Sequence, residues 1–248
     1  MFEKNIKFLC DKDYIKHSGD KPQPVKVNLP DWYKKLEHRT DYKTVKGCIP
    51  FLDAMTFGYL LRIPLDYQIQ HNVVEEVEGV QKRVFRVKVP EVNFHNRLNI
   101  SIQDEKPSFH PKQQVEGWSN VDKNNGPHFY KIANPWHIIT PPGYSCLFVP
   151  PLNNHDDRFS IIPGIVDTDK WNKTINFPFM INGDKYKELD TIIKKGTPYA
   201  QIIPFKRDDW KMSIEDVDKN EKVDKRWIYP LRLLHNYKTD FWSKKRCT

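Results

Sequence analysis

The stretch PPGYSCLFVPPLNNHDDRFSIIPGIVDTDKW, residues 141–171, decides which fold the sequence predicts. It opens with a Pro-Pro-Gly turn, continues through the alternating apolar run from Tyr144 to Phe148, and closes on PGIVDTD. Alternation with a period of two is typical of a strand with one buried face, and Pro-Gly pairs mark turns. We therefore predict short strands joined by tight turns, with the carboxylates of Asp167 and Asp169 at one such turn.

The same pattern extends to both sides of this stretch. Upstream, FGYLLRIPLDYQIQ predicts one strand in which Pro64 marks an edge or a bulge, and NVVEEVEGVQKRVFRVKV predicts a hairpin that turns at Glu78-Gly79. Downstream, INFPFMIN and TIIKKGTPYAQIIPF predict two more short strands, with a turn at Lys195-Gly196. Many short strands with Pro and Gly turns and little helix between them indicate a mainly β fold.

Composition divides the chain into an N-terminal arm at residues 1–47, a core at 48–205 with a polar insertion around 93–125, and a C-terminal arm at 206–248. The N-terminal arm is rich in proline and predicts one short helix at PDWYKKL, in which Asp31 can serve as the cap. This arm cannot bury much surface alone, so it is expected to lie across another surface. The C-terminal arm ends in a predicted helix.

The chain carries a formal net charge of +8 and has a mean hydropathy of −0.72. These values are typical of a soluble protein, and we find no apolar run long enough to cross a bilayer, so the expected location is the cytoplasm or a virion. The whole positive excess lies in the two arms, which either reach toward an acidic surface or are simply solvated. The neutral core argues against nucleic acid as a partner.

The histidines and cysteines do not show the spacing of a metal site. The histidines in the middle of the chain form no close pair with a carboxylate, and the cysteines lack any Cys-x-x-Cys motif. The sequence also lacks a P-loop, a dinucleotide fingerprint and the Gly-x-Ser-x-Gly elbow of a hydrolase. These motifs give no reason to expect a metal or a cofactor.

Three segments of the core occur in the order PPGYSCLFVPP, PGIVDTDKW and IIKKGTPYAQIIPF, and together they resemble the dUTPase and dCTP-deaminase superfamily. The resemblance covers residues 136–205. It implies a dUTPase-like β-clip, a distorted small barrel of short strands, with N- and C-terminal extensions and assembly into a homotrimer. The segments PDWYKKL, CIPFLDAMTFGY and IIPFKRDDW are also similar to a group of uncharacterised proteins of tailed phages and some bacteria.

In catalytic members of the superfamily, the first Asp of the hairpin orients water for attack on the α-phosphate of a magnesium-bound nucleotide. The resemblance assigns this role to Asp167, with magnesium as cofactor, if the chain is a nucleotide pyrophosphatase or a deaminase-like hydrolase. The same match by position gives five candidate substrate-binding residues: Gly164, Asp169, Lys170, Trp171 and Gln201.

The groups that hold the triphosphate in the family are replaced in this sequence. The Pro-Arg-Ser clamp of the family reads Pro-Pro-Leu-Asn-Asn at residues 150–154. Lys170 and Trp171 stand where the family has Tyr and Arg. Phosphoryl transfer depends on positioning and on charge neutralisation, so the loss of these groups argues against catalysis.

The residues that persist are those that a hairpin needs. Pro163-Gly164 is predicted to form a turn, and Ile165 and Val166 are predicted to enter the core. The carboxylate of Asp167 can accept hydrogen bonds within the turn that follows. We therefore interpret Asp167 as a structural residue.

Aromatic residues of the two arms are the candidate partner-binding residues: Trp32, Tyr33, Trp210, Trp227 and Trp242. Large aromatic side chains on extensions commonly anchor to a neighbouring surface, either of the same chain or of another subunit. The sequence thus favours a non-catalytic structural or assembly protein of a phage virion, which forms a homotrimer and binds neighbours, including other virion proteins, through its arms. The alternatives are the magnesium-dependent hydrolase and a nucleotide-binding regulator that kept the pocket without the chemistry.

Overall fold

The computed structural model describes residues 5–17, 20–37, 39, 44–88, 109–214, 237–245 and 247–248. Fourteen strands and three short helices lie in these residues, which confirms the mainly β fold. The helices are α1 (Lys12–His17), α2 (Asp31–Lys35) and α3 (Ile49–Ala54). The strands are β1 (Lys7–Leu9), β2 (Gln23–Pro24), β3 (Tyr59–Arg62), β4 (Tyr67–Val77), β5 (Val80–Lys88), β6 (His110–Pro111), β7 (His128–Ile132), β8 (His137–Ile139), β9 (Tyr144–Val149), β10 (Phe159–Ile161), β11 (Gly164–Val166), β12 (Phe177–Ile181), β13 (Leu189–Ile193) and β14 (Pro198–Lys206).

A five-stranded antiparallel sheet in the order β11-β9-β14-β3-β2 carries the segments that the sequence singles out. Its central strand β14 pairs with β9 from Gln201 to Lys206 and with β3 on the other side. Residues 199–202 of β14 are buried on both faces of the sheet. Ala200 is fully buried among them, in the close-packed position that its small side chain suits.

A four-stranded sheet in the order β10-β12-β7-β6 packs against the five-stranded sheet. The ring of Phe177 on β12 lies 5.4 Å from that of Phe148 on β9 and 5.4 Å from that of Tyr199 on β14, so aromatic contacts join the two layers. The sheet β13-β4-β5 and the pair β1-β8 complete the described strands, which form open sheets and no closed barrel. Most of the buried apolar side chains belong to one contiguous core.

The segment FGYLLRIPLDYQIQ forms two strands in different sheets, not the single strand that its alternation predicts. Strand β3 ends at Arg62 and β4 begins at Tyr67, with Pro64 in the bend between them. Proline has no N–H to donate to a ladder, so the chain leaves the five-stranded sheet at this point.

The predicted turns at Glu78-Gly79 and Lys195-Gly196 are confirmed. Glu78 (φ 54°) and Gly79 (φ 76°) join β4 to β5. Positive φ at both positions of a two-residue turn matches the right-handed twist of the flanking strands. Gly196 (φ 85°) leads from β13 into β14, and its N–H donates to the carbonyl of Ile63 at 2.8 Å.

Helix α2 confirms the helix predicted at PDWYKKL, but its cap is different. Asp31 is the first helical residue, the cap residue Pro30 makes no side-chain hydrogen bond, and the Asp31 carboxylate lies 3.2 Å from Lys34 Nζ. Of the predicted insertion, 109–125 contains β6 and two 3₁₀ turns, whereas 93–108 lies outside the described residues, as does the larger part of the predicted C-terminal helix. No helix in the described part of the chain has the length and apolar character to span a membrane.

A buried histidine joins the three-stranded sheet to the four-stranded sheet. His71 on β4 is fully buried, and its Nε2 donates to the carbonyl of Asn124 at 2.6 Å. Because a carbonyl can only accept, Nδ1 of the neutral ring accepts from the hydroxyl of Tyr130 on β7 at 2.8 Å. Burial lowers the pKa of His71 and also that of the neighbouring His128. The fold therefore favours the neutral form of both rings.

We expect the free energy of unfolding to fall as the pH drops below about 6.5, the pKa of a histidine in an unfolded chain. Below that pH the unfolded chain binds protons that the folded chain excludes from His71, so acid favours unfolding until the pH reaches the lowered pKa of the folded state. Urea denaturation between about pH 5 and pH 8 measures this slope.

The variant His71→Gln is expected to show a shallower dependence of unfolding free energy on pH below about 6.5. His110→Gln is the matched control, because His110 is a half-exposed histidine that pairs with Gln114. An unchanged slope in His71→Gln would show that this ring does not carry the acid sensitivity.

Candidate functional site

Three strand ends meet where the hairpin carboxylates lie. Strand β11 runs antiparallel to β9 with Val166 opposite Cys146, and β14 runs antiparallel to β9 with Lys206 opposite Tyr144. The turn after β11, the start of β9 and the chain that follows β14 are therefore neighbours at one end of the five-stranded sheet. The carboxylates after β11 thereby face the arginine that follows β14.

The Asp169 carboxylate is almost fully buried, with 4% of the side chain exposed. Arg207 binds both of its oxygens, because Nη1 donates to Oδ1 at 2.9 Å and Nη2 donates to Oδ2. The Gly143 N–H donates to Oδ2 at 2.8 Å. The hydrogen bonds from Arg207, and then that from Gly143, lower the pKa of Asp169 to about 2.

Arg207 also holds the start of β9. Its Nη1 donates to the Tyr144 carbonyl at 2.9 Å and to Ser145 Oγ at 2.8 Å, and its backbone N–H donates to the Gly143 carbonyl at 2.9 Å. Sequence reasoning does not connect Arg207 or Ser145 with the hairpin, because the sequence does not show which strand ends meet. In the sequence, Arg207 and Ser145 are marked only by their positions near predicted strand ends. These positions become informative once the pairing of β9 with β11 and β14 is known.

Asp167 lies at the surface, with 54% of its side chain exposed. Its Oδ1 accepts from Ser145 Oγ at 2.6 Å and lies 3.3 Å from Arg207 Nη1. Its carbonyl accepts from the N–H groups of Lys170 and Trp171, both at 2.9 Å, which closes the turn. Lys170 and Trp171 are both exposed. The turn is thus held by the backbone of Asp167, and the carboxylate is held by its neighbours.

The hairpin carboxylates do not fit a magnesium ion. Magnesium requires oxygen ligands, usually one or two carboxylates, but the oxygens of Asp169 are bound by Arg207 and Gly143. One oxygen of Asp167 accepts from Ser145, and the guanidinium beside both carboxylates repels a cation. Across the described ranges, no group of three or more His, Cys, Asp or Glu side chains could hold a metal ion.

Gln201, a candidate substrate-binding residue, is fully buried and bound to backbone groups. Its Oε1 accepts from the Leu152 N–H at 2.9 Å, and its Nε2 donates to the carbonyls of Ala54 at 2.9 Å and Phe57 at 2.7 Å. Both amide hydrogens are used, so the side chain ties β14 to residues 150–154 and to the end of α3. The structure places Gln201 inside the protein. Its role in binding a substrate stays a prediction from the resemblance.

Gly164 and Ile165 also differ from their predicted roles. Gly164 lies not in a turn but at the start of β11, opposite Phe148, and the space around its Cα is open. Ile165, which the sequence predicts to enter the core, is 63% exposed. Strand β11 is at the edge of its sheet, and adjacent strand residues point to opposite faces, so only Val166 of this pair packs against the core.

The N-terminal arm is anchored on its own chain by Tyr33. Its buried ring stacks on that of Phe51 in α3, with centroids 6.4 Å apart. Lys46 Nζ lies 4.8 Å from the centroid of the Tyr33 ring and donates to the Tyr33 carbonyl at 2.8 Å. Trp32 packs edge-on against Phe51 and remains half exposed. The sequence leaves open whether the aromatic residues of the arms anchor to the same chain or to another subunit. For Tyr33 the structure shows the first alternative.

The end of the C-terminal arm returns to the same helix α3. Trp242 Nε1 donates to Asp53 Oδ2 at 2.9 Å, and Lys245 Nζ binds the same oxygen at 2.7 Å. Trp242 therefore also packs on its own chain. Trp210 differs, because 90% of it is exposed, and Trp227 lies outside the described residues.

No family model, no curated protein and no solved structure matches the chain. The likeness to the dUTPase and dCTP-deaminase superfamily therefore remains a prediction from the order of three short motifs.

Asp169→Asn is expected to destabilise the fold more than Asp167→Asn. The first change leaves Arg207 without its buried counter-charge, whereas solvent can replace the contacts of the half-exposed Asp167. Urea midpoints near neutral pH measure the difference, and equal midpoints would contradict the central role of Asp169. The contribution of Asp169 is present above about pH 4, the pKa of an Asp in an unfolded chain, and is lost as the pH falls toward the lowered pKa.

Proposed function

We propose that the chain is a non-catalytic structural or assembly protein, which forms a homotrimer through a dUTPase-like core and binds neighbouring subunits through the segment that follows β14. One observation carries this proposal: Trp210, Met212 and Ile214 are 90%, 88% and 88% exposed. In an extended chain, residues at every second position share one side. Exposed apolar surface of this kind marks an interaction site.

The contacts of the hairpin carboxylates support a non-catalytic role. A general base must present its oxygen to the proton that it removes. Both oxygens of Asp169 are bound, and the exposed carboxylate of Asp167 accepts from Ser145 at Oδ1 and lies 3.3 Å from Arg207 Nη1. The guanidinium of Arg207, whose fork could bind a phosphate, binds these carboxylates instead.

The setting of the proposal is a phage virion or its assembly. It rests on the similarity of the arm and core segments to a group of phage and bacterial proteins. The order of the three motifs between Pro141 and Phe205 supports the β-clip and the trimer, and the short antiparallel strands β9, β11 and β14 are consistent with it. In this function the core holds the subunits together, and the exposed segment extends to the next subunit.

The triple variant Trp210→Ser/Met212→Ser/Ile214→Ser is expected to bind neighbouring subunits at least about tenfold more weakly, because burial of each large apolar side chain contributes about 1.5–3 kcal/mol. Sedimentation equilibrium of the full chain measures the association. The control is Asp209→Ser/Lys211→Ser, which alters exposed polar residues of the same segment. A wild-type chain that stays monomeric, or a triple variant with wild-type association, refutes the proposal.

With magnesium and a panel of nucleoside triphosphates, the protein is expected to release no pyrophosphate and to keep its melting temperature. The reason is that Arg207 is occupied by carboxylates and the segment 150–154 offers no cation for a phosphate. Nucleotide-dependent stabilisation without turnover would support the regulator instead. Turnover that Asp167→Asn abolishes would support the hydrolase.

A further inference from the structure

Beyond His71, the β4–β5 hairpin continues as a two-stranded ribbon. Strand β13 pairs with β4 only from Tyr67 to His71, and a bulge follows between His71 and Val73. From Val73 to Val84 the hairpin has no third strand among the residues that the structure describes. Residues 73–84 form the β4–β5 ribbon.

One face of the ribbon carries two valine pairs on either side of a charged pair. Three cross-strand pairs share this face: Val73 with Val84, Glu75 with Lys82, and Val77 with Val80. Side chains directly opposite one another lie on the same face, as do alternate residues along each strand. At the tip, Val77 is 41% exposed and Val80 is 55% exposed. This face, called the valine face, therefore has a valine pair at each end and a charged pair between them.

The opposite face of the ribbon has a different composition. It carries Glu76, Gln81 and Arg83, and Val74 is its one apolar residue. A two-stranded hairpin is only marginally stable in water unless an apolar face of it packs against something. The valine face is therefore the surface that gains most from being covered.

The charged pair at the centre of the valine face is held in position. Arg86 lies on the same face of β5 and forms an ion pair with Glu75. Its Nε donates to Gln70 Oε1 at 2.6 Å, which fixes the guanidinium along the strand. The negative charge of Glu75 thus has a defined place beside the positive charge of Lys82.

We propose that the valine face docks onto the same face of a second copy of the chain, with a two-fold axis parallel to the ribbon. This axis places Glu75 over the partner's Lys82 and each valine pair over the equivalent pair. An axis across the ribbon would place Glu75 over the partner's Glu75, which is repulsive. Only an axis parallel to the ribbon places each of these charges over the opposite charge of the other copy. This contact goes beyond the proposed function, because it involves neither the segment after β14 nor the hairpin carboxylates.

Charge reversal separates a contact between copies from a contact within one copy. Glu75→Lys and Lys82→Glu are each expected to self-associate at least about tenfold more weakly than the wild type. The two-fold axis creates two contacts between positions 75 and 82 of the two copies, and each variant places like charges at both of them. An equimolar mixture of the two variants is expected to regain the association, since the facing positions 75 and 82 of the two copies then carry opposite charges at both contacts. Sedimentation equilibrium of the full chains measures both, and circular dichroism verifies that each variant is folded.

A matched pair of valines tests the face itself. Val77 and Val74 are 41% and 42% exposed but lie on opposite faces of the ribbon. Val77→Asp is expected to abolish the association through the ribbon, and Val74→Asp is expected to leave it unchanged.

These results are distinguishable from those that concern the proposed function. In the background of the Trp210→Ser/Met212→Ser/Ile214→Ser variant, Glu75→Lys and Lys82→Glu should still restore each other's association. The ribbon proposal is overturned if the mixture does not regain association, or if Val77→Asp and Val74→Asp have the same effect.

Discussion

The ion pair between Arg207 and Asp169 is the contact on which one end of the five-stranded sheet depends. It ties the chain after β14 to the turn after β11, and the Gly143 N–H adds the turn before β9. Little of the Asp169 side chain is exposed, and the guanidinium and the Gly143 N–H supply the hydrogen bonds that water would otherwise give it. One arginine thereby fixes the ends of three strands that are far apart in the sequence.

The same pair decides what the hairpin can do. A site for phosphoryl transfer needs cations that are directed at phosphate oxygens. In this chain the guanidinium of Arg207 binds the carboxylates, and Gln201 uses both amide hydrogens on backbone carbonyls. The polar groups of the region therefore act on the protein itself. This is the physical reason for preferring an assembly role to catalysis.

Exposed apolar side chains occur at many positions of the described residues, and two groups of them form continuous surfaces. Tyr33 and Trp242 bring both arms back to helix α3, so these aromatic residues are satisfied within the chain. The segment from Trp210 to Ile214 and the valine face of the β4–β5 ribbon keep large side chains in water. The first is a single extended segment, whereas the second is a patterned face with its own charges, so the two surfaces suit different contacts.

Features that depend on adjacent residues could be predicted from the sequence. Alternation predicts strand β9, and the need for positive φ predicts the turns at Gly79 and Gly196. The exposure of Ile165 and the pairing of Arg207 with Asp169, 38 residues away, could not be predicted. Whether a strand is at an edge, and which strand ends meet, depends on pairing between distant segments. The sequence alone therefore determined a mainly β chain with its turns and a pair of hairpin carboxylates, and only the tertiary structure decided that an arginine occupies those carboxylates.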